Sequence, residues 1–76
     1  MTNEDARYSN KGYLRKAITI LLNKMILFEV VDRPATNYKS YDGVYELGVK
    51  FYSSGTMNTI YPTDQSDLNT IGNLAY

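Results

Sequence analysis

Side-chain catalysis needs an activated nucleophile, a pair of carboxylates or a set of metal ligands. This chain of 76 residues is poor in all three. It has no His and no Cys, which removes the usual base and the usual zinc ligands together. Ser53 and Ser54 fall in a tight turn with no His to activate either hydroxyl. Asp64 and Asp67 read as helix-start residues, Asp42 as a turn residue and Glu46 as a solvated strand residue. Ser53-Ser54-Gly55-Thr56 lacks the lysine and the spacing of a phosphate-binding loop. The expectation is a protein that is not an enzyme and that carries no cofactor and no metal.

Binding chemistry is better represented. The formal charge is zero, yet residues 6–28 hold Arg7, Lys11, Arg15, Lys16 and Lys24 with no acid among them. Without acids in between, the i, i+4 ion pairs of an ordinary exposed helix cannot form there. A run of unbalanced positive charge favours a polyanion or an acidic protein surface. A second cluster, Tyr38-Lys39-Ser40-Tyr41, sets two rings beside a cation in a loop. Bases stack on such rings while cations meet phosphates, and tyrosine is equally suited to protein interfaces. The candidate contact residues are therefore Lys11, Arg15, Lys16, Lys24, Tyr38, Lys39 and Tyr41.

A chain this short forms one domain. Small domains often lean on disulfides, a metal or a partner chain. Disulfides are impossible without Cys, so a partner or self-association gains weight. The apolar stretch 17–31 is interrupted by Thr19, Asn23, Lys24 and Glu29, short of the ~20 apolar residues of a membrane span. No signal peptide is evident, and the expected setting is the cytoplasm, with no membrane contact.

Residues 1–8 read as a flexible end and residues 9–76 as the domain. Ser9 or Asn10 is placed to cap a helix running to about Met25. Its buried stripe is Leu14, Ala17, Ile18, Leu21, Leu22 and Met25, with Ile20 off the stripe. Residues 26–33 read as a strand with Phe28 and Val30 on one face and Glu29, Val31 and Arg33 on the other, ended by Pro34. Residues 44–61 read as a hairpin, because Tyr45, Leu47, Val49 and Phe51 alternate with Glu46, Gly48 and Lys50.

Matching apolar residues across that hairpin selects a three-residue loop, Ser53-Ser54-Gly55. Phe51 would then pair with Met57, Val49 with Thr59 and Leu47 with Tyr61, with Ile60 covering Gly48 on the outer face. Tyr45 and Tyr61 would be core residues. Thr63 or Asp64 caps a final helix with Leu68, Ile71 and Ala75 (or Leu74) on its apolar side. The fold class expected is α+β, an α-β-β-β-α two-layer sandwich, its three-stranded antiparallel sheet covered on one face by helices.

That order, with Phe28-Glu29-Val30-Val31, a loop holding Pro34 and then residues 44–51, resembles the double-stranded-RNA-binding domain. The resemblance implies that the helix around Lys11, Arg15 and Lys16, and the loop 36–41, reach a minor groove. Family members open the last helix with a lysine cluster, where this chain has Asp64 and Asp67. The small Asn-, Tyr- and Lys-rich composition is also similar to that of early proteins of bacteriophages. The expected function is a binding protein that regulates or inhibits a larger target, RNA or a ribonucleoprotein such as a host nuclease. The alternative is a protein-only adaptor or homo-oligomer that pairs through an exposed sheet edge.

Overall fold

In the order α1 (Lys11–Asn23), β1 (Phe28–Pro34), β2 (Tyr45–Ser53), β3 (Thr56–Ile60) and α2 (Gln65–Leu74), the chain builds one open sheet and two helices. The computed structural model describes residues 8–35 and 43–75. The sheet is antiparallel throughout with strand order β1-β2-β3, so β2 lies in the middle. Phe51 and Val49 from β2 meet Leu14, Ala17 and Leu21 of α1 and Leu68, Ile71 and Ala75 beside α2 in one buried cluster. The α+β sandwich is thus as the alternation and the helical stripes require.

The face that α1 buries is rotated from the one its sequence suggests. Leu14, Ala17 and Leu21 are buried, and Tyr13, Ile18 and Ile20 pack at the margin. Leu22 points outward and Met25 is 92% exposed. The reason lies at the helix end, which comes at Asn23 rather than near Met25. Met25 takes φ 60, its N–H donates to Leu22 C=O at 3.0 Å, and the Ile26 N–H donates to Leu21 C=O at 3.0 Å. This pair of bonds is the Schellman termination, in which Ile26 folds back to touch the core near Leu21. Met25, beyond the helix end, is therefore turned away from the sheet.

A left-handed conformation costs a side-chain-bearing residue on the order of 1 kcal/mol or more, and glycine escapes it. Met25 gives up almost no burial in exchange. Met25→Gly is expected to raise stability by about 1 kcal/mol, a rise of roughly 4–8 °C in melting temperature for a domain of this size. Thermal unfolding followed by circular dichroism checks this.

β3 corrects the expected hairpin. Ser53 pairs with Thr56, Tyr52 with Met57, Phe51 with Asn58 and Val49 with Ile60, so the loop has two residues, Ser54-Gly55. Both have positive φ, 53° and 80°. That is the type I′ geometry, whose twist matches the strands it joins. The one-residue shift exchanges the faces of β3. Asn58 and Ile60 turn towards the helices, while Met57 and Tyr61 turn outward. Tyr61 is therefore not a core residue, and it is Tyr61, not Ile60, that covers Gly48.

The ends of the elements are tied by side chains. Asp64 caps α2, accepting from the Asp67 N–H at 3.0 Å, and Asp67 accepts in turn from the Thr63 N–H and hydroxyl. Ser53 donates from Oγ to Leu74 C=O at 2.8 Å, fixing the end of α2 to β2. At the start of α1, Asn10 occupies the N-cap position but makes no capping bond. Its amide is used elsewhere: Nδ2 donates to Leu47 C=O and Pro62 C=O, and Oδ1 accepts from the Leu47 N–H. Tyr8 forms a parallel bridge to Tyr45 just before this point.

Candidate binding surfaces

α1 sets its cations on more than one surface. Arg15 and Lys16 stand on the exposed side of the helix, away from the sheet, and Lys11 is partly buried one turn before Arg15. Lys24 sits at the C-cap, about 13 Å along the axis from Arg15 at 1.5 Å per residue. The helix thus gathers Lys11, Arg15 and Lys16 and leaves Lys24 at the far end. The Lys16 ammonium lies 5.5 Å from the centre of the Tyr13 ring, a cation–π distance that leaves its charge facing solvent.

Between described residues one ion pair forms, Arg33 with Glu46, and Arg15 and Lys16 have no carboxylate partner among the described residues. Tyr38, Lys39 and Tyr41 lie outside the described residues, so the expected pairing of that loop with the helix has no geometry here.

Glu46 departs from the sequence reading. It is only 3% exposed, because Arg33 reaches over it with Nε 3.0 Å from Oε2 and stacks its guanidinium 4.0 Å from the Tyr61 ring. Arg33, Glu46 and Tyr61 therefore close one end of the outer sheet face. Spacing could not reveal this, since Tyr61 reaches the outer face only through the two-residue turn.

The other end of that face is open. Leu27, Tyr52 and Met57 are 93%, 62% and 53% exposed. They wall a shallow hollow with Glu29 and Lys50 at its rim. No sequence signal points to these residues, because apolar matching across the hairpin turns Met57 into the core.

Among the described residues, no group of three or more His, Cys, Asp or Glu stands close enough to hold a metal ion. Ser53 is engaged with Leu74, and Asp64 and Asp67 are engaged in the cap of α2, the helix-start role their positions suggest. No described helix is long and apolar enough to cross a membrane.

The chain matches no family model, no curated protein and no solved structure. What it offers a partner must therefore be judged from its own surfaces. One is a cationic ridge on α1, and the other is an apolar hollow on the opposite side of the sheet.

Proposed function

We propose that this protein is a non-catalytic binding module that regulates or inhibits a larger target, and that α1 meets RNA or a ribonucleoprotein through Arg15 and Lys16. The observation that carries this reading is that both cations face solvent without a carboxylate partner among the described residues, on a helix anchored to the sheet by its buried side. The helix backbone is ordered before a phosphate arrives, so only the two side chains lose freedom on binding, at about 0.5–1.5 kcal/mol each.

The resemblance to the double-stranded-RNA-binding domain extends to the element order. It does not extend to the start of α2, where Asp64 and Asp67 would repel the phosphates that a lysine cluster grips. The RNA surface in this reading is therefore confined to α1 and to the loop of Tyr38, Lys39 and Tyr41. A host nuclease with its bound RNA, met by a phage-encoded inhibitor in the cytoplasm, is a target of the right chemistry.

Fluorescence anisotropy with a labelled single-stranded RNA tests the reading. Two or three neutralised phosphates give a slope of log affinity on log salt of roughly −1.5 to −2. The double reversal Arg15→Glu, Lys16→Glu is expected to abolish binding while leaving the fold intact, since both side chains are exposed. No binding at low salt, or binding indifferent to that reversal, ends the RNA reading.

The second reading is a protein-only adaptor that pairs through a sheet edge. It is favoured by β1 and β3 each having an outer side free of any neighbouring strand among the described residues.

A further inference from the structure

We infer that one end of the molecule is a lipid-surface contact: its apolar side chains enter the headgroup–acyl boundary of an anionic membrane, and Arg15 and Lys16 meet the lipid phosphates. The inference shares those two cations with the RNA reading and goes beyond it in the residues that insert. No span is involved, since insertion of this kind reaches only about 5–10 Å into the surface.

The first observation is where the exposed apolar side chains lie. Among the described residues seven large ones are exposed, and all but Val30 gather at the end where the β2–β3 hairpin turns. Leu22 and Met25 stand at the close of α1, and Leu27 leads directly into β1. The pairing of Phe28 with Phe51 sets Leu27 beside Tyr52, which is itself paired with Met57. The Ser53–Leu74 bond brings the end of α2, with Leu74, to the same place. At 92% and 93% exposure, Met25 and Leu27 form a convex tip. Two rigid tips touch over little area, whereas acyl chains flow round a convex surface.

The second observation is Met25 itself. Its φ of 60 marks a position where glycine serves the fold better, yet an apolar side chain stands there almost wholly in water. Neither folding nor solubility accounts for that choice, and entry into a lipid surface does. The sequence places Leu22 and Met25 in the stripe that covers the sheet, and so gives no sign of membrane contact. In the structure neither side chain is buried there.

Charge selects the kind of surface. Arg15 and Leu22, two turns apart, share one side of α1, and Lys16 stands beside Arg15. Both cations are about 9–11 Å along the axis from Leu22. The headgroup layer is about 5–8 Å deep, so with Leu22 at its inner boundary the two long side chains reach the phosphates.

The acids stand back from the tip. Asp64 and Asp67 open α2 at the far end, and Glu46 lies there under Arg33. Among the described residues Glu29 is the one acidic side chain near the tip, and it is the cross-strand partner of Lys50. An anionic surface therefore attracts this end and repels the other, and each cation near it adds roughly fivefold in affinity.

Flotation of the full chain with vesicles tests the proposal, using phosphatidylcholine alone and equal parts of phosphatidylcholine and phosphatidylglycerol. Binding to the mixed vesicles is expected, and weaker binding to phosphatidylcholine alone. Leu27→Asp should lower it about tenfold or more, the loss of one inserted apolar side chain. Met25→Gly should lower it as far although it makes the fold more stable, a split that a structural role alone does not produce. Both residues are exposed, so circular dichroism should show an unchanged fold, and RNA affinity should stay at the parent value. Arg15→Glu with Lys16→Glu should lower binding to the mixed vesicles and to RNA together. Absence of binding to the mixed vesicles overturns the proposal without touching the RNA reading. Binding that Leu27→Asp and Met25→Gly leave unchanged overturns it too, since charge alone is then responsible. Self-association lost in Leu27→Asp, with no effect on vesicles, overturns it in favour of a second copy at this end.

Discussion

Asn10→Asp is expected to unfold the protein at temperatures where the parent chain is folded, although it alters a single side-chain group. The Asn10 amide is buried and each of its polar atoms is used, by Leu47 C=O at 2.6 Å, Pro62 C=O at 2.7 Å and the Leu47 N–H at 2.6 Å. A carboxylate keeps the bond from the Leu47 N–H but sets a second oxygen against two carbonyl oxygens. Two acceptors lose their donor, at about 1–3 kcal/mol each, and a buried charge is added. Total stability for a chain of this length is on the order of 4–11 kcal/mol. The loss therefore reaches a large share of it, roughly 3–5 kcal/mol by the same per-group costs.

The pH dependence distinguishes this cause from a general loss of packing. The folded state disfavours the charged form of the introduced carboxyl, so its pKa there is raised above the unfolded value. Protonation restores a donor, and the deficit should shrink as pH falls towards about 4, where the unfolded carboxyl begins to titrate. Urea unfolding at neutral and mildly acidic pH, beside Asn10→Ala as a control without a titrating group, makes the measurement. A deficit in Asn10→Asp that does not change with pH, or that grows in step with the control, would count against the account.

Gly48→Ala is the second large effect, and its sign is the informative part. Glycine in a strand ordinarily costs about 0.5–1 kcal/mol relative to alanine, so replacing it should help. Here an added Cβ would stand 2.7 Å from the Ile60 carbonyl oxygen and 2.7 and 2.9 Å from two carbons of the Tyr61 ring. The ring can move, but the carbonyl belongs to the β3 backbone and cannot move without disturbing the β2–β3 pairing. Overpacking of this kind costs about 1–3 kcal/mol, which outweighs the strand gain. Adding Tyr61→Ala should recover part of the loss and not all of it. If Gly48→Ala is stabilising in a denaturant titration, the close approach of Tyr61 to this strand is wrong.

Both effects trace to one place, the end of β3, where it leaves β2. After Val49–Ile60, the next partner of Leu47 in this register is Pro62, whose nitrogen carries no hydrogen. The ladder cannot continue there, and the Asn10 side-chain amide takes the place of the missing peptide group. One residue earlier, Tyr61 crosses the outer face above Gly48 and supplies the ring on which Arg33 lies as it covers Glu46. The junction thereby closes one end of the outer face, leaving Leu27, Tyr52 and Met57 as its open end.

The sequence by itself determined the order of elements, the two faces of β1 and β2, a cap at Thr63 or Asp64 and the cationic character of α1. These follow from local periodicity and local hydrogen-bonding chemistry, which neighbouring residues set among themselves. Tertiary structure decided the register of β3, the rotation of α1 and the task of Asn10. Period two assigns the residues of a strand to two faces, but the face that turns inward depends on what the other strand and the helices present. Apolar matching favoured Met57 and Tyr61 inward. The type I′ turn, the space above Gly48 and the place for Ile60 beside Val49 together outweighed it. Asn10 looked like a cap because capping is the local use of asparagine. Its actual partners, Leu47 and Pro62, are distant in sequence, and only the folded chain brings them within reach of its amide.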